Sequence, residues 1–251
     1  MSIIDNKIIL LTGCINPNGM TKTVIQDPEA RKQQYILAIN YYLNNTHYPI
    51  IFIENTNTDI SGGFEQCVNN KRIEFITFNG NDFNKALGKG YGEAIMIDYA
   101  IKKSILIQES SFIIKITGRL IVENIEELTS EMKLSNCVYA NMVRGNCGLE
   151  RKSFFFGASV KFLRDYFLAN KECIDESINV YFERHLYNEC LIWKEAGGLS
   201  KEFKHPIIVK GVSGSTGKDY PIEKHPRICV PIGARPHSPP PEPRNGSSHD
   251  Y

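Results

Sequence analysis

Glycines and basic side chains recur together at two places in the chain, and both combinations suit a phosphorylated ligand. The first cluster is residues 88–93 (GKGYGE), and the second is residues 115–119 (KITGR). Glycine lets a backbone approach a ligand closely, and Lys and Arg supply the positive charge that phosphates need. The pattern predicts one helix and one strand between the clusters. We therefore expect a site for a phosphorylated ligand, and a nucleotide-sugar fits best.

Residues 88–93 differ from a dinucleotide-binding fingerprint, because Glu93 stands where a third glycine is needed. The functional interpretation is a backbone cradle at a helix N-terminus, where free N–H groups favour an anion and Lys89 adds charge. The alternative is a flexible loop with a glycine-rich helix start. Residues 211–218 fail as a Walker A motif, because Asp219 follows the lysine. They are either a lid over a ligand or a solvated loop.

The second cluster carries the sharper hypothesis. Lys115 interrupts an apolar strand, which costs free energy unless its amine reaches a partner or the strand's rim. One interpretation is a structural ion pair; the other is neutralisation of a diphosphate together with Arg119. The chain contains no D-x-D pair to hold a metal for that purpose. Lys115, Arg119 and Arg144 are the candidates to replace it, so we expect a metal-independent site.

Residues 181–190 (YFERHLYNEC) supply candidates for proton transfer. Transfer to a hydroxyl needs a general base, and Glu183 is the first choice, with His185 second. The alternative for each is a solvated helix face or a structural pair. The aromatic residues between 154 and 167, which lie among basic residues, predict core packing or contact with a membrane surface or lipid-linked acceptor.

The elements that must position these residues are strands and helices in alternation. Apolar, β-branched runs predict strands at 7–12, 49–54, 73–78 and 111–117, and helical spacing predicts helices from Pro28 and over 92–104. Asp27 is the expected N-cap before Pro28. This order predicts a mostly parallel α/β sheet, in which ligands bind at the carboxyl ends of the strands. The second half predicts strands at 137–144, 153–156 and 205–212, and helices at 158–170 and 178–199.

Composition limits the class of partner. The chain has 251 residues and a formal net charge of +1, so no global field favours nucleic acid or membrane. No apolar run reaches the roughly 20 residues of a membrane span, the N-terminus does not read as a signal peptide, and the seven cysteines form no C-x-x-C pair. We expect a cytoplasmic protein with reduced thiols and no zinc. Eight of the twelve prolines lie between Pro221 and Pro243, which predicts a disordered tail over residues 221–251.

Five short motifs carry a resemblance to a known group. They are LTGCINP, RKQQY, FIENTN, GKGYGEA and FIIKITGRL, and they lie within residues 7–217. As a set they resemble small bacterial glycosyltransferases from capsule and lipooligosaccharide loci. The resemblance implies a GT-A-like fold, with a nucleotide-sugar-binding half over residues 1–125 and an acceptor-side half over residues 126–220.

The resemblance also implies a set of site residues. Thr12, Gly13 and Asn16 would border the nucleotide, and Glu54 and Asn55 would hold its base or ribose. The sugar-phosphate site and the strand end beside it would be formed by Gly90, Tyr91, Gly92, Glu93, Lys115, Thr117, Gly118 and Arg119.

The function that these observations favour is glycosyl transfer from a nucleotide-sugar donor to a growing surface glycan. A UDP-sugar is the first expectation for the donor, with a CMP- or GDP-sugar as alternatives. The acceptor would be a glycan or a lipid-linked glycan at the inner membrane. A sugar nucleotidyltransferase is one alternative, although the loop after the first strand lacks the Arg which that reaction usually uses. A non-catalytic nucleotide-binding module is the other.

Overall fold

The structure, a computed structural model, describes residues 6–20, 22–108, 111–145, 148–214 and 216–220. The tail predicted over residues 221–251 lies outside the described residues. The described chain alternates strands and helices, and the fold class predicted from the sequence is confirmed. It is a mixed α/β fold whose central sheet is mostly parallel and carries helices on both faces.

The strands occupy the following ranges: β1 Lys7–Gly13, β2 Ile50–Glu54, β3 Ile73–Thr77, β4 Phe112–Thr117, β5 Ile121–Val122, β6 Cys137–Tyr139, β7 Met142–Gly145, β8 Gly148–Arg151, β9 Phe155–Ser159, β10 Leu199–Lys201 and β11 Val209–Lys210. Seven of them form one sheet in the order β10-β6-β9-β4-β1-β2-β3. Within this sheet β9 alone runs antiparallel to its neighbours, β4 and β6. Two smaller pairs, β5 with β11 and β7 with β8, complete the sheets of the described residues.

The parallel half of the sheet follows directly from the sequence. Each of the four predicted strands is found, and its bounds differ from the prediction by one residue at one end. Strands β1, β2 and β4 are buried on both faces, which explains their nearly continuous runs of Ile, Leu and Phe. Their carboxyl ends bring the polar residues that follow them to one edge of the sheet.

The helices lie on the two faces of this sheet: α1 Pro28–Asn45, α2 Glu65–Asn69, α3 Lys89–Lys103, α4 Ile105–Gln108, α5 Ile125–Glu131, α6 Val160–Phe162 and α7 Phe182–Glu195. One apolar cluster joins α1 and α5 to one face, and a second joins α3, α6 and α7 to the other. The predicted start of α1 is confirmed, since the Asp27 carboxylate accepts from the N–H groups of Glu29 and Ala30. No helix in the described ranges has the length and apolar character to cross a membrane.

The glycine-rich cluster differs from its predicted form. Helix α3 begins at Lys89, so most of residues 88–93 are helical and not loop. Gly88 precedes the helix with φ at 86°, a left-handed conformation that glycine adopts without strain. The prediction of a helix over 92–104 therefore placed its start three residues too late.

The second half corrects several predicted bounds. The strand predicted over 137–144 is split into β6 and β7, because the side chain of Asn141 accepts from the Phe203 N–H at the break. The strand predicted over 205–212 shrinks to β11, since Glu131 takes the N–H groups of Lys204 and His205. Side chains thus replace the ladder partners that a longer strand would need.

Three further bounds move for local reasons. The strand predicted over 153–156 is β9 and begins at Phe155. The helix predicted over 158–170 is the single turn α6 followed by a π-helical turn, Leu163–Phe167. The helix predicted over 178–199 is α7, because the preceding turn ends on Asn179 with φ at 63°. A residue in that conformation interrupts a right-handed helix.

Candidate functional site

A cavity of about 240 Å³ opens at the carboxyl edge of the parallel strands. Its walls come from the ends of β1, β2 and β4 and from the first turns of α1, α3 and α7. Loop residues complete the walls, among them Cys14, Pro17, Met20, Thr23, Gly214 and Tyr220. This is the edge where ligands bind in open α/β sheets. The site residues predicted from the sequence that line it are Thr12, Asn55, Gly90, Gly92, Glu93, Thr117, Arg119 and Glu183. The others lie outside its lining: Gly13, Asn16, Glu54, Tyr91, Lys115, Gly118, Arg144 and His185.

Two arginines face this cavity together. Arg119 follows β4, and Arg31 projects from the first turn of α1. Burial lowers the pKa of Arg119, and the charge of Arg31 lowers it further, so the two guanidinium groups are close enough to repel. Neither pairs with a carboxylate among the described residues. Uncompensated buried charge is costly, so this end of the cavity is built to receive an anion.

Protein carbonyl groups hold both guanidinium groups in place. Arg31 donates from Nε to the Cys14 carbonyl at 2.6 Å and from Nη2 to the Tyr35 hydroxyl at 3.1 Å. Arg119 donates to the Val212 carbonyl. Gly214, two residues after Val212, packs closely on the Arg119 guanidinium group, and a Cβ atom at this position would overlap it. Such fixed donors are preorganised for planar anions such as phosphate.

Asn55 provides an acceptor without a donor. Its side chain follows β2, is 2% exposed and lines the cavity. Its Oδ1 atom has no hydrogen-bond partner among the described residues. A buried polar atom left without a partner costs about 1–3 kcal/mol. A ligand that donates a hydroxyl or an N–H group at this place would remove that cost.

Glu54, predicted beside Asn55 at the nucleotide, does not line the cavity and instead holds two of its loops together. Its carboxylate accepts from the N–H groups of Ile15, Thr56 and Thr58 at 2.8–2.9 Å, and it is fully buried. These bonds fix the loop after β1 against the loop after β2. The carboxylate has no access to the cavity, so a direct contact with a base or ribose does not fit this geometry.

Lys115 also has a structural role, as one member of an ion pair with Glu93. Its Nζ atom lies 2.5 Å from Oε1 of Glu93 and 2.7 Å from the Ser153 carbonyl oxygen, and the side chain is fully buried. Burial lowers the pKa of Lys115, and the negative charge of Glu93 opposes that effect. Glu93 in turn accepts from the Thr12 hydroxyl at 2.8 Å. The structural ion pair considered for Lys115 therefore describes it, and Lys115 lies outside the lining of the cavity.

The two candidate bases are placed very differently. Glu183, in the first turn of α7, lines the cavity, and its Oε1 accepts from the Ser153 hydroxyl at 2.5 Å. His185 is 2% exposed and points into the fold, where Nε2 lies 2.8 Å from the Phe167 carbonyl oxygen. Because that oxygen can only accept, Nε2 carries the proton. The cavity position supports Glu183 as the base, and His185 has no access to a substrate.

The remaining predicted residues support the backbone or lie apart. A Cβ at Gly118 would come 2.7 Å from the Thr12 carbonyl oxygen, and one at Gly13 would overlap the Phe52 ring. Both glycines therefore allow close packing at the strand ends. The Tyr91 ring packs edge-on against Phe83, Asn16 is exposed beside the cavity, and Arg144 is exposed on β7.

The N-terminus of α3, predicted as an anion cradle, is already occupied by a carboxylate. Glu176 lies in the turn before α7, and its Oε1 accepts from the Gly90 N–H at 3.2 Å. Gly88 permits this approach, because a Cβ there would overlap the Glu176 side chain. Lys22 balances the carboxylate from the solvent side at 3.5 Å. Glu176 thus caps the helix in place of a bound anion.

Arg31 and Glu176 are among the residues of this site that sequence reasoning missed, and only Arg31 carried a signal. Arg31 lies one helical turn before the buried Tyr35, in line with the apolar positions of α1, so a charge on that face could have been noticed. Glu176 lies in an irregular segment whose spacing gives no such indication. No group of three or more His, Cys, Asp or Glu residues in the described ranges is arranged to hold a metal. Metal independence stays a prediction.

Comparison with known proteins gives structural likenesses only. No family model and no curated protein sequence matches the chain. A protein assigned as a nucleotide-diphospho-sugar transferase, from Desulfovibrio desulfuricans G20, is 7% identical, with a TM-score of 0.42 over 78% of this chain and 81% of that one. The bifunctional glycosyltransferase WbbM is 12% identical, with a TM-score of 0.39 over 75% of this chain and 38% of that one.

A third likeness is to the inositol-1-phosphate CTP transferase from T. maritima. It is 12% identical, with a TM-score of 0.39 over 80% of this chain and 86% of that one. At these identities and TM-scores the likenesses carry no conclusion about the activity of this chain. Its function must be argued from the cavity.

Proposed function

We propose that this protein is a glycosyltransferase that uses a nucleotide-sugar donor. The observation that carries the proposal is the pair of arginines, Arg31 and Arg119, which face one cavity without a carboxylate partner among the described residues. Two fixed guanidinium groups suit the phosphates of a nucleotide. Their position at the carboxyl edge of a parallel sheet is where nucleotides bind in folds of this class.

The donor would lie across the strand ends. Its phosphates contact Arg31 and Arg119, and its nucleoside donates a hydrogen bond to Oδ1 of Asn55. The Thr117 hydroxyl, also at the cavity, accepts from Lys115 and would donate its proton to the groups between them. The Thr12 hydroxyl gives its proton to Glu93, so it would only accept from the donor. This placement leaves the sugar toward the first turn of α7, where Glu183 lies.

The reaction then follows from these positions. The bond between the anomeric carbon and the phosphate oxygen breaks, and the electron pair leaves with the nucleotide. Arg31 and Arg119 stabilise the negative charge that develops on that oxygen. An acceptor hydroxyl bonds to the anomeric carbon, and its proton passes to the Glu183 oxygen that Ser153 does not hold.

The finer assignments belong to the same proposal. The donor is a UDP-sugar, with CMP- and GDP-sugars as alternatives, and the arginines replace a D-x-D-bound metal. The acceptor is a glycan or lipid-linked glycan of a capsule or lipooligosaccharide, reached by peripheral contact with the inner membrane. Residues 1–125 form the donor half of a GT-A-like fold, and residues 126–220 the acceptor half.

A thermal-shift screen tests the proposal. Nucleoside mono-, di- and triphosphates of uridine, cytidine and guanosine are added with EDTA or with Mn²⁺. We expect one nucleotide family to raise Tm by mass action, equally in EDTA. No response to any nucleotide would contradict the proposal. Stabilisation by nucleoside triphosphates and metal alone would favour a nucleotidyltransferase, and binding without donor turnover would favour a non-catalytic module.

A further inference from the structure

The two edges of the seven-stranded sheet are built differently. Strand β10 forms one edge, has three residues and includes the exposed Lys201. Strand β3 forms the other edge and has five residues, Ile73–Thr77 (IEFIT), with neither Lys nor Pro among them. Short strands, lysine and proline are common means by which proteins prevent an edge from pairing with another strand. The β10 edge has this protection, and the β3 edge lacks it.

The one charged residue of β3 is engaged by a helix beside the strand. The Glu74 carboxylate accepts from the Ser104 hydroxyl at 2.6 Å and from the N–H groups of Ile105 and Leu106 at 3.1 and 3.3 Å. These bonds direct the carboxylate to the start of α4, on one face of the sheet. Its charge therefore does not lie along the edge, where it would repel an approaching strand.

Alternate backbone groups of β3 face away from the sheet. The Arg72 carbonyl accepts from the Ile50 N–H, so the backbone groups of residues 74 and 76 also turn toward β2. The N–H and carbonyl groups of Ile73, Phe75 and Thr77 therefore point outward. They form no backbone hydrogen bond with another element in the described part of the chain. Such a row of unpaired groups is a template for a further strand.

A groove of about 490 Å³ lies along this edge, and Ile73, Phe75 and Thr77 all line it. Val68 on α2 and Ile105 on α4 line it too, and they are 39% and 64% exposed. The groove thus offers apolar side chains beside a row of free backbone donors and acceptors. An extended strand that enters it would pair with β3 and cover both apolar side chains.

The two ends of the groove carry opposite charges. Lys71 lies at the amino end, two residues before β3, and Asp59 lies at the carboxyl end, in the loop after β2. Both are exposed, and neither forms an ion pair with another described residue; the Asp59 carboxylate accepts from Ser61. A two-fold rotation exchanges the ends of the groove, so it would bring Lys71 to the partner's Asp59. The groove is therefore complementary to a second copy of itself.

We infer that the protein forms a two-fold symmetric dimer in which β3 pairs antiparallel with β3 of a second copy. The axis passes beside Phe75, so Ile73 faces the partner's Thr77. Three facing pairs then form about six backbone hydrogen bonds, two for each pair. Lys71 and the partner's Asp59 add an ion pair at each end. The inference is independent of the proposed function, because none of these residues lines the cavity at the strand ends.

Analytical ultracentrifugation with charge reversal tests the inference. We expect the wild type to dimerise at micromolar concentrations. Lys71→Glu should raise the dimer dissociation constant about tenfold or more, because it places two carboxylates opposite each other at each end. Adding Asp59→Lys restores opposite charges, so the double variant should return to within about threefold of the wild type. Lys201→Glu, an exposed lysine at the other edge of the sheet, is the matched control and should leave the constant unchanged.

Amide hydrogen exchange locates the contact in the wild type and so does not depend on any variant. Exchange over β3 should slow as the protein concentration rises through the dissociation constant, and exchange over β10 should not change. A wild type that stays monomeric, or a dimer without this protection of β3, would overturn the inference. Equal effects of Lys71→Glu and Lys201→Glu, or a double variant that dimerises no better than Lys71→Glu, would overturn it too.

Discussion

Lys115 and Glu93 form an ion pair at the wall of the cavity, with Nζ of the fully buried lysine 2.5 Å from Oε1 of the glutamate, which lines the cavity. The same ammonium group donates to the Ser153 carbonyl, and the Ser153 hydroxyl donates to Glu183. One lysine therefore orients Glu93 directly and Glu183 through Ser153. The rings of Phe156 and Phe182 lie 5.9 and 5.6 Å from the ammonium group and shield it from water.

Replacing Lys115 should destabilise the fold more than replacing both members of the pair. Lys115→Met leaves Glu93 with no counter-charge, and we expect a loss of about 3 kcal/mol in the free energy of unfolding. The double variant with Glu93→Gln should recover at least half of that loss, because no unpaired charge remains. Denaturant unfolding measures both. Lys102→Met, which breaks an exposed pair with Asp98, serves as the control and should change stability by under about 0.5 kcal/mol. A double variant no more stable than Lys115→Met would contradict this account.

The parallel half of the fold could be predicted because its signals are local. Strands β1, β2 and β4 are buried on both faces, so their apolar runs are long and unbroken. In the second half, side chains distant in sequence decide where strands end. Asn141 and Glu131 take backbone N–H groups of residues more than 60 positions away. No window of neighbouring residues contains that information.

The site could be predicted in location and only partly in detail. Thr12, Asn55 and Arg119 follow from the strand ends, since the parallel sheet brings them to one edge. The partner of Lys115 could not be identified from the sequence, because Glu93 lies on helix α3 and only the packing of α3 on the sheet brings it to β4. Likewise, only the tertiary structure brings the Glu176 carboxylate to the N-terminus of α3.

Asn55 should contribute to nucleoside binding at little cost to the fold. Its Oδ1 atom has no partner among the described residues, so Asn55→Ala removes no hydrogen bond from that atom. We expect UDP to bind roughly tenfold more weakly, since one hydrogen bond is worth about 1 kcal/mol or somewhat more. Pyrophosphate, which lacks a nucleoside, should bind with unchanged affinity. Calorimetry with both ligands makes the test, and equal losses for the two would contradict a nucleoside contact.

Glu183 should matter for turnover and not for binding of the nucleotide. Glu183→Gln keeps an acceptor for Ser153 but cannot take a proton, so we expect kcat to fall about 100-fold or more. The affinity for UDP should stay within about twofold, because the base acts on the acceptor. Donor turnover and UDP titration are measured on the same preparation. His185→Gln, on the same helix but buried, is the control: it should lower Tm and leave kcat nearly unchanged. The reverse ranking of the two variants would identify His185 as the base.

The stability of the protein should respond to pH through Glu189. Burial raises the pKa of this carboxyl group, and its Oε2 atom has no partner in the described residues. The native state therefore holds the proton more tightly than the unfolded chain, and stability is lost as pH rises above the usual glutamate range toward the raised pKa.

Glu189→Gln removes that penalty. At pH 8 the variant should be more stable than the wild type by about 1 kcal/mol. The difference should shrink toward pH 4, where the wild-type carboxyl group is protonated. Thermal unfolding from pH 4 to pH 8 measures it, with Glu195→Gln as the exposed control on the same helix. A difference that is constant with pH would show that the charge is not the cause.

The central claim is that Arg119, with Arg31, binds the phosphates of a nucleotide, and one titration tests it most directly. UDP and uridine are titrated by calorimetry, in EDTA, into the wild type, Arg119→Ala and the control Arg164→Ala, whose guanidinium pairs with Asp165 outside the cavity. A lost hydrogen bond to a charged group is worth about 1.5–3 kcal/mol, so Arg119→Ala should bind UDP roughly 10- to 100-fold more weakly. Uridine binding should be unchanged in every protein. Equal losses for UDP and uridine, or no loss of UDP binding in Arg119→Ala, would contradict the account.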